Sequence, residues 1–539
     1  MNVKRDRSRS SRNRARTVVL RSLVVASALA VGCTPPPEPP KAAPPPAPVA
    51  PAPPPTQVVS AVPDREAPPA SAAPRELTLP APAWDTLANG LEVATIASAA
   101  LPIVQIRVVV RAGSAADGDR PGVAVLTGEL LAEGGAGTMS SRELFARVES
   151  LGATLQVGTS FDRTTLSIAV TKDHFTEALD LVAAVTTKPT MSAPELTKLR
   201  KRMVEKAADN ARTSGEWAAS MMLYRGLFGG GQARHPYATY DATAAEIGKL
   251  TGADCRAFHK QHFVPKGMFV VVAGDVAQAD VKAAVDKAFG GLTGGEPTRA
   301  VIPAPAAPAE LRITLVDRPK STQSDVYAGL LAPERTAASW PAFATANQVL
   351  GGGMTGRLFL EVREKASLAY NARSSLHELG QGPSVLVAYA GTQSAKTGLA
   401  VKAVLDQLER LGTTEPSADE VTTATRFLAD SMAIRLETIG AVANELVKNR
   451  MLGLPDDHPA QLRKQLRAVT AAEAAKVAAE HVRTSRVALV VAGDAKVVGP
   501  MLSHFGEVKV VDPTKGFTVG ETIAKNPEAS LELKEEAGK

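Results

Sequence analysis

Short β-branched runs and i, i+3, i+4 apolar spacings divide this chain into strands and helices. Leu91-Glu-Val-Ala-Thr-Ile96 and Ile103-Val-Gln-Ile-Arg-Val-Val-Val110 read as strands. Helical spacing follows at 123–132 and 142–151, with two more strands expected around 154–158 and 164–170. Residues 173–186, 193–211 and 216–228 read as helices, and Met268-Phe-Val-Val-Val-Ala273 closes the series as a strand. The order then restarts, with strands expected at 312–316 and 325–330 and a helix at 342–350. Strands and helices mix without strict alternation, which predicts an α+β fold of mixed sheets with helices packed on one face.

The restart is also visible in the residues. Val271-Val-Ala-Gly-Asp275 recurs as Val490-Val-Ala-Gly-Asp494, and Leu144-Phe-Ala-Arg-Val148 matches Leu358-Phe-Leu-Glu-Val362. Two matches in the same order at nearly equal offsets predict two homologous halves, 86–292 and 309–500. A linker at 293–308, carrying Pro303-Ala-Pro-Ala-Ala-Pro308, joins them, and 501–539 reads as a tail.

Composition changes the picture at the N-terminus. Lys and Arg number 61 against 55 Asp and Glu, a net charge of +6. Eight of those bases and one acid lie in residues 1–21, ahead of an apolar stretch ending at Cys33. A basic segment, a short apolar one and small residues before a cut form a secretory signal over 1–32. Without it the balance is 53 bases to 54 acids, so a nucleic-acid partner loses its support. Residues 33–85 are Pro/Ala-rich and favour polyproline II, which suits a semi-rigid tether; a PxxP docking ligand is the alternative use. With two cysteines in the chain, a disulfide framework and a Cys-based zinc cluster are excluded. Ala30-Val-Gly-Cys33 resembles a bacterial lipobox, which implies lipidation of Cys33 and attachment to the cell envelope. Thr34, by analogy with other lipoproteins, points to the outer membrane on its periplasmic side. An unmodified mature N-terminus beyond Cys33 would exclude the anchor.

The block Leu350-Gly-Gly-Gly-Met-Thr-Gly-Arg-Leu-Phe-Leu-Glu-Val-Arg-Glu-Lys-Ala-Ser-Leu-Ala-Tyr370 predicts a helix end at Gly351–Gly353, a helix from Arg357 to Lys365 and a strand from Ser367. It resembles the second-half signature of the pitrilysin/insulinase-type metallopeptidases, the inverzincins. The resemblance extends over about 86–500 and includes the duplication, the Val-Val-Ala-Gly-Asp strands and Phe258-His-Lys-Gln-His-Phe-Val-Pro265. Active members carry H-x-x-E-H on the first helix of the first half, two His for zinc and a Glu to activate water, with a further Glu ligand downstream. Here Val125, Gly128 and Glu129 occupy the first-His, base and second-His positions, and Glu205 lies near the third ligand. One or two carboxylates cannot replace three ligands and a base, so no metal is expected on this chain. His259 and His262, three apart on an expected helix, read as structural, and the other six histidines are scattered.

The resemblance also implies a role for Arg363 and Tyr370. In active relatives an Arg and a Tyr seven residues apart hydrogen-bond the scissile carbonyl and stabilise its oxyanion. The local alternative is a surface ion pair for Arg363 and a core position for Tyr370. Gly351–Gly353 is either a flexible substrate-contact loop or a tight helix end. Some bacterial relatives divide these parts between two chains, one bearing zinc and the other Arg/Tyr. The resemblance implies a non-catalytic subunit of the second kind, which binds peptide or unfolded protein beside a zinc-bearing H-x-x-E-H partner. A scaffold or core-type subunit and a peptidase with a rebuilt site are the alternatives.

Overall fold

The computed structural model describes residues 76–229, 235–306 and 308–533; Cys33, the signal segment and most of the Pro/Ala-rich spacer lie outside them. The first half forms a six-stranded sheet from β1 (Ala83–Thr86), β2 (Glu92–Ala97), β3 (Ile103–Val110), β4 (Gln156–Thr159), β5 (Thr164–Thr171) and β6 (Met268–Gly274). Its order is β1-β2-β6-β3-β5-β4. The second sheet holds β7 (Arg312–Asp317), β8 (Gln323–Ala332), β9 (Ala369–His377), β10 (Ser384–Gln393), β11 (Ala488–Gly493), β12 (Val508–Asp512) and β13 (Thr518–Ile523). They are ordered β13-β12-β7-β11-β8-β10-β9.

The duplicated Val-Val-Ala-Gly-Asp segments occupy equivalent central places. β6 runs parallel to β2 and antiparallel to β3, and β11 runs parallel to β7 and antiparallel to β8. All seven residues of β6 and all six of β11 are buried, which is why both read as unbroken apolar runs. Gly274 ends β6 at φ 141°, where a Cβ would meet the Ile103 carbonyl oxygen at 2.1 Å. Only glycine fits there.

Each sheet packs its own helices on one face, as expected for the α+β class. On the first, Val108, Leu166, Ile168, Val270 and Val272 join a core with the Val123–Glu133 and Phe175–Thr187 helices. The other face is not open. Ile96, Val109, Phe269 and Val271 pack against Val442, Leu446 and Val447 of the Ile439–Leu452 helix, which comes from the second half. Reciprocally, the Gly215–Phe228 helix of the first half lays Leu223, Tyr224 and Leu227 on Tyr327, Val387 and Val490 of the second sheet. Burying each such side chain stabilises by about 1.5–3 kcal/mol, so the exchange ties the halves together. Polar contacts reinforce it: the buried Arg107 donates from Nε to Asn444 Oδ1 at 2.8 Å, and the Gly380 N–H donates to Asp162 Oδ2 at 2.8 Å.

Three features differ from the expected boundaries. β1 begins inside the segment read as spacer, because Trp84 is held against Phe269 with ring centroids 6.3 Å apart. The linker packs: Ala300 and Ile302 join the core around the Gly215–Phe228 helix, and His235 Nε2 is 2.9 Å from the Pro303 carbonyl oxygen. The expected tail supplies β12 and β13, since Val508 and Val510 complete the second core.

Two groups contribute large shifts to the acid limit of this fold. Glu420 accepts a bidentate pair from the buried Arg357 at 2.7 and 2.9 Å, which together with Ser417 brings its carboxyl down to about 2. His458 is brought down to about 4 by burial and by Arg335 and Lys448. Both values lie below those of the unfolded chain, so the unfolded state takes up the protons first. His458 therefore contributes stability above pH ~6.5 that is lost on the way to about 4. Glu420 loses its contribution between the ordinary 4.5 and about 2. The melting temperature is expected to fall in these two windows, and His458→Gln to shrink the upper one, to which His259, His262, His377 and His481, also lowered by desolvation, contribute. A melting temperature flat from pH 7 to 4 would reject the assignment.

Candidate functional site

The Val123–Glu133 helix is started by a loop that turns at Gly122, φ 88°. The Asp117 carboxylate accepts from the Gly122 and Ala124 backbone N–H groups at 2.7 and 2.9 Å, in place of an ordinary cap. Val125, Gly128 and Glu129 fall on one side of the helix by their i, i+3, i+4 spacing. Gly128 lies tight against β4: a Cβ there would meet Thr159 Oγ1 at 2.8 Å and Val157 Cγ1 at 3.5 Å. Glu129 does not meet Glu205. Arg202, on the Ala193–Thr213 helix, reaches Glu129 Oε2 at 3.2 Å and Glu133 Oε2 at 2.8 Å. This hydrogen bonding holds the Glu133 carboxyl below its usual range and keeps the Arg202 guanidinium charged. Glu205 is exposed, 3.8 Å from Lys201 Nζ.

The donor set does not fit zinc. Val125 and Gly128 offer no ligand atom, Glu129 is engaged by a cation, and Glu205 turns to solvent. Among the described residues no group of three or more His, Cys, Asp or Glu is placed to hold a metal ion. His259 is committed elsewhere, with Nε2 2.8 Å from the Thr186 carbonyl oxygen, and burial lowers the imidazole pKa of both His259 and His262. Arg202 carries no signal in the sequence, because its contact with Glu129 joins residues 73 apart on two helices.

The Arg363–Tyr370 segment is irregular at three successive points. Arg363 lies in Leu358–Lys365, which forms a π-helix where an ordinary helix was expected. Ser367 follows at φ 52°, a left-handed conformation rare for a non-glycine residue. Strand β9 then starts with a bulge: Thr392 pairs with Ala369 and Gly391 with Asn371, leaving Tyr370 unpaired. A bulge re-aims its residue, and Tyr370 is 87% exposed, which overturns a core position for it. The Arg363 guanidinium carbon lies 4.6 Å from the Phe359 ring centroid and 5.4 Å from that of Tyr370. Its ion pair with Glu364 is long, at 3.5 Å. Both side chains face a groove of about 650 Å³ that also takes in Asp325, Asn371, Tyr389 and Lys396.

Gly351–Gly353 lie outside the walls of that groove. Gly351 ends the Trp340–Gly351 helix, and a Cβ on it would meet the Ser374 backbone nitrogen at 2.7 Å. On Gly352 a Cβ would meet Gln348 Oε1 at 2.2 Å. Gly351 is close-packed where helix and strand cross, and Gly352 against Gln348 of that helix.

Such irregular conformations cost roughly 1–3 kcal/mol each and concentrate where function requires them. Ser367→Gly is therefore expected to raise stability by ~1 kcal/mol, since glycine adopts φ > 0 freely. Chemical denaturation checks it, and a loss of stability would show that Ser367 is not strained.

A duplicated α+β unit with this buried strand pair, carrying Val125, Gly128 and Glu129 at the first-half motif positions, defines a fold of the metallopeptidase type. The chain belongs to the insulinase family, peptidase family M16. The family model described as insulinase (peptidase family M16) matches residues 92–238, and one described as the peptidase M16 inactive domain matches 249–428. An uncharacterized zinc protease of Mycobacterium bovis is 26% identical over 386 residues, covering 71% of this chain and 85% of the relative. Another from Bacillus subtilis is 25% identical over 323 residues, covering 59% and 75%. Among solved structures, a peptidase M16 inactive domain from Pseudomonas fluorescens superposes with a TM-score of 0.71 at 27% identity, covering 77% of this chain and 98% of that one. A protease from Helicobacter pylori shares the fold with a TM-score of 0.70 at 21% identity, over 77% and 100%.

Proposed function

We propose that this chain is a non-catalytic, peptide-binding subunit of a two-chain peptidase, and that it lends Arg363 and Tyr370 to a zinc-bearing H-x-x-E-H partner. The observation that carries this reading is the contrast between the two motif sites. The first-half site is filled by Gly128 packing and by Arg202, whereas the second-half pair sits on strained, surface-presented backbone beside an open groove. Strain maintained at an exposed segment supports use of that segment.

Arg363 supplies a fixed positive charge with donors, and Tyr370 one phenolic donor. Placed against a peptide carbonyl, both stabilise the negative charge that develops on its oxygen, a task that needs preorganised donors rather than an acid or base. Zinc belongs to the partner in this scheme. β4 is the last strand of its sheet, with no strand on its outer side among the described residues, a second feature suited to adding an extended peptide. Lipidated Cys33 and the Pro/Ala-rich spacer would hold the subunit at the envelope membrane, on the periplasmic side of the outer membrane.

The test is complementation. The purified chain alone is expected to cleave no peptide and to hold well below one equivalent of zinc. Mixed with an H-x-x-E-H subunit it is expected to support cleavage. Stable assembly without any cleavage would favour a scaffold role.

A further inference from the structure

A second cavity, of about 970 Å³, opens along the seam between the two halves. It lies on the face of the first sheet away from the Val123–Glu133 helix. Leu166 and Ile168 of β5 join the helix-side core, so by strand alternation Arg163 and Thr165 face the seam. Leu428 and Met432 of the Ala418–Arg435 helix and Leu462 and Leu466 of the His458–Ala468 helix give it an apolar wall.

Its charges are unbalanced. Arg163, Arg335, Arg435 and Lys448 line it against Glu378 and Glu445, leaving two positive charges in excess. Glu378 is shared, accepting from Arg335 Nε at 3.1 Å and from Lys448 Nζ at 2.7 Å. Arg335 also lies 2.7 Å from His458 Nε2 and stacks over Trp340. Arg163 differs. Its half-buried guanidinium makes no hydrogen bond or ion pair among the described residues, and only the charge of the adjacent Asp162 offsets its burial. Asp162 is itself engaged by Tyr237 Oη and the Gly380 N–H. A half-buried cation without a partner, in a cavity of net positive charge, is suited to an anion. The apolar wall adds that the anion carries an aliphatic group.

We propose that the seam cavity binds the C-terminal end of a peptide, with the terminal carboxylate on Arg163 and an aliphatic last side chain against Leu428, Met432, Leu462 and Leu466. A C-terminal aliphatic residue carries both groups on one α-carbon. Asn347 lines the same cavity and its covered Oδ1 has no donor, so a turn of its amide toward the cavity would offer that oxygen to a ligand's backbone N–H groups. The assignment names the substrate class for the peptide-binding reading and rests on it: peptides held by a free, aliphatic C-terminus.

Isothermal titration of the full chain with acetyl-Ala-Ala-Leu-Leu as the free acid and as the C-terminal amide tests this. The acid is expected to bind at least about tenfold more tightly, the usual scale of a charge-assisted hydrogen bond. Arg163→Gln is expected to abolish the difference while leaving the thermal melt unchanged. Equal binding of acid and amide by the unmodified chain overturns the proposal without recourse to any variant. So does a preference that survives Arg163→Gln. Octanoate binding as tightly as the peptide acid overturns the peptide assignment, since it has no N–H groups. Acid preference unchanged in Arg363→Ala supports a site separate from the Arg363 groove. Failure of complementation with that preference intact would reject the two-chain function and leave the cavity's ligand standing.

Discussion

Arg363→Ala, assembled with a zinc-bearing H-x-x-E-H subunit, is expected to lower kcat by roughly 10²–10³-fold, the scale of removing one oxyanion donor. Tyr370→Phe keeps the ring and removes only the hydroxyl, so ~10-fold or more is expected from the loss of one hydrogen bond. KM should change little in either, because the bonds strengthen as charge develops on the oxygen rather than in the ground state. Neither substitution should disturb the fold. Tyr370 is 87% exposed and unpaired in β9, and Arg363 is bound to the surface chiefly by the Phe359 and Tyr370 rings. Assembly measured by size-exclusion chromatography should be intact. Normal turnover in both variants would reject the role.

The second large effect is a failure to restore a metal. Val125→His, Gly128→Glu and Glu129→His together rebuild the H-x-x-E-H motif in sequence, yet zinc is expected to stay below ~0.1 equivalent, in contrast to the firm binding of a complete ligand set. Three physical obstacles produce this. A side chain at residue 128 must displace Thr159, whose Oγ1 stands 2.8 Å from the Cβ position, and such overpacking costs about 1–3 kcal/mol. Removing Glu129 leaves Arg202 on Glu133, a cation beside the intended metal. Glu205 faces solvent next to Lys201. Adding Arg202→Ala removes only the second obstacle and is expected to leave zinc low. One equivalent of zinc in the triple variant would show that the site decayed by ligand loss alone.

Much of the architecture was legible because the buried strands are unbroken apolar runs and the duplication preserved Val-Val-Ala-Gly-Asp in both β6 and β11. The exchange of helices between halves was not. Gly215–Phe228 and Ile439–Leu452 carry apolar residues around most of their surface, and periodicity does not say which sheet an apolar face will cover. β13 is an almost wholly exposed edge strand with no apolar alternation, so it leaves no strand signal, and β12, though rich in valine, falls beyond the end of the internal repeat.

At the site, residue types at motif spacing identified Val125, Gly128, Glu129, Arg363 and Tyr370. Spacing could not show that Arg202 engages Glu129 from 73 residues away, or that Ser367 and the β9 bulge turn Tyr370 outward. Those depend on packing between elements distant in sequence. Gly351 and Gly352 read equally well as loop or helix end. The contacts a Cβ would make with Ser374 and Gln348 give them a packing role.

The most direct measurement is the peptide-cleavage rate of a fixed amount of the zinc-bearing H-x-x-E-H subunit as this chain is titrated in. Cleavage is expected to be near background for either chain alone, to rise with added wild-type chain and to saturate. Arg363→Ala should compete for the partner without supporting the rise. Cleavage by this chain alone, or a partner whose rate does not respond to it, would contradict the division of catalysis between two chains.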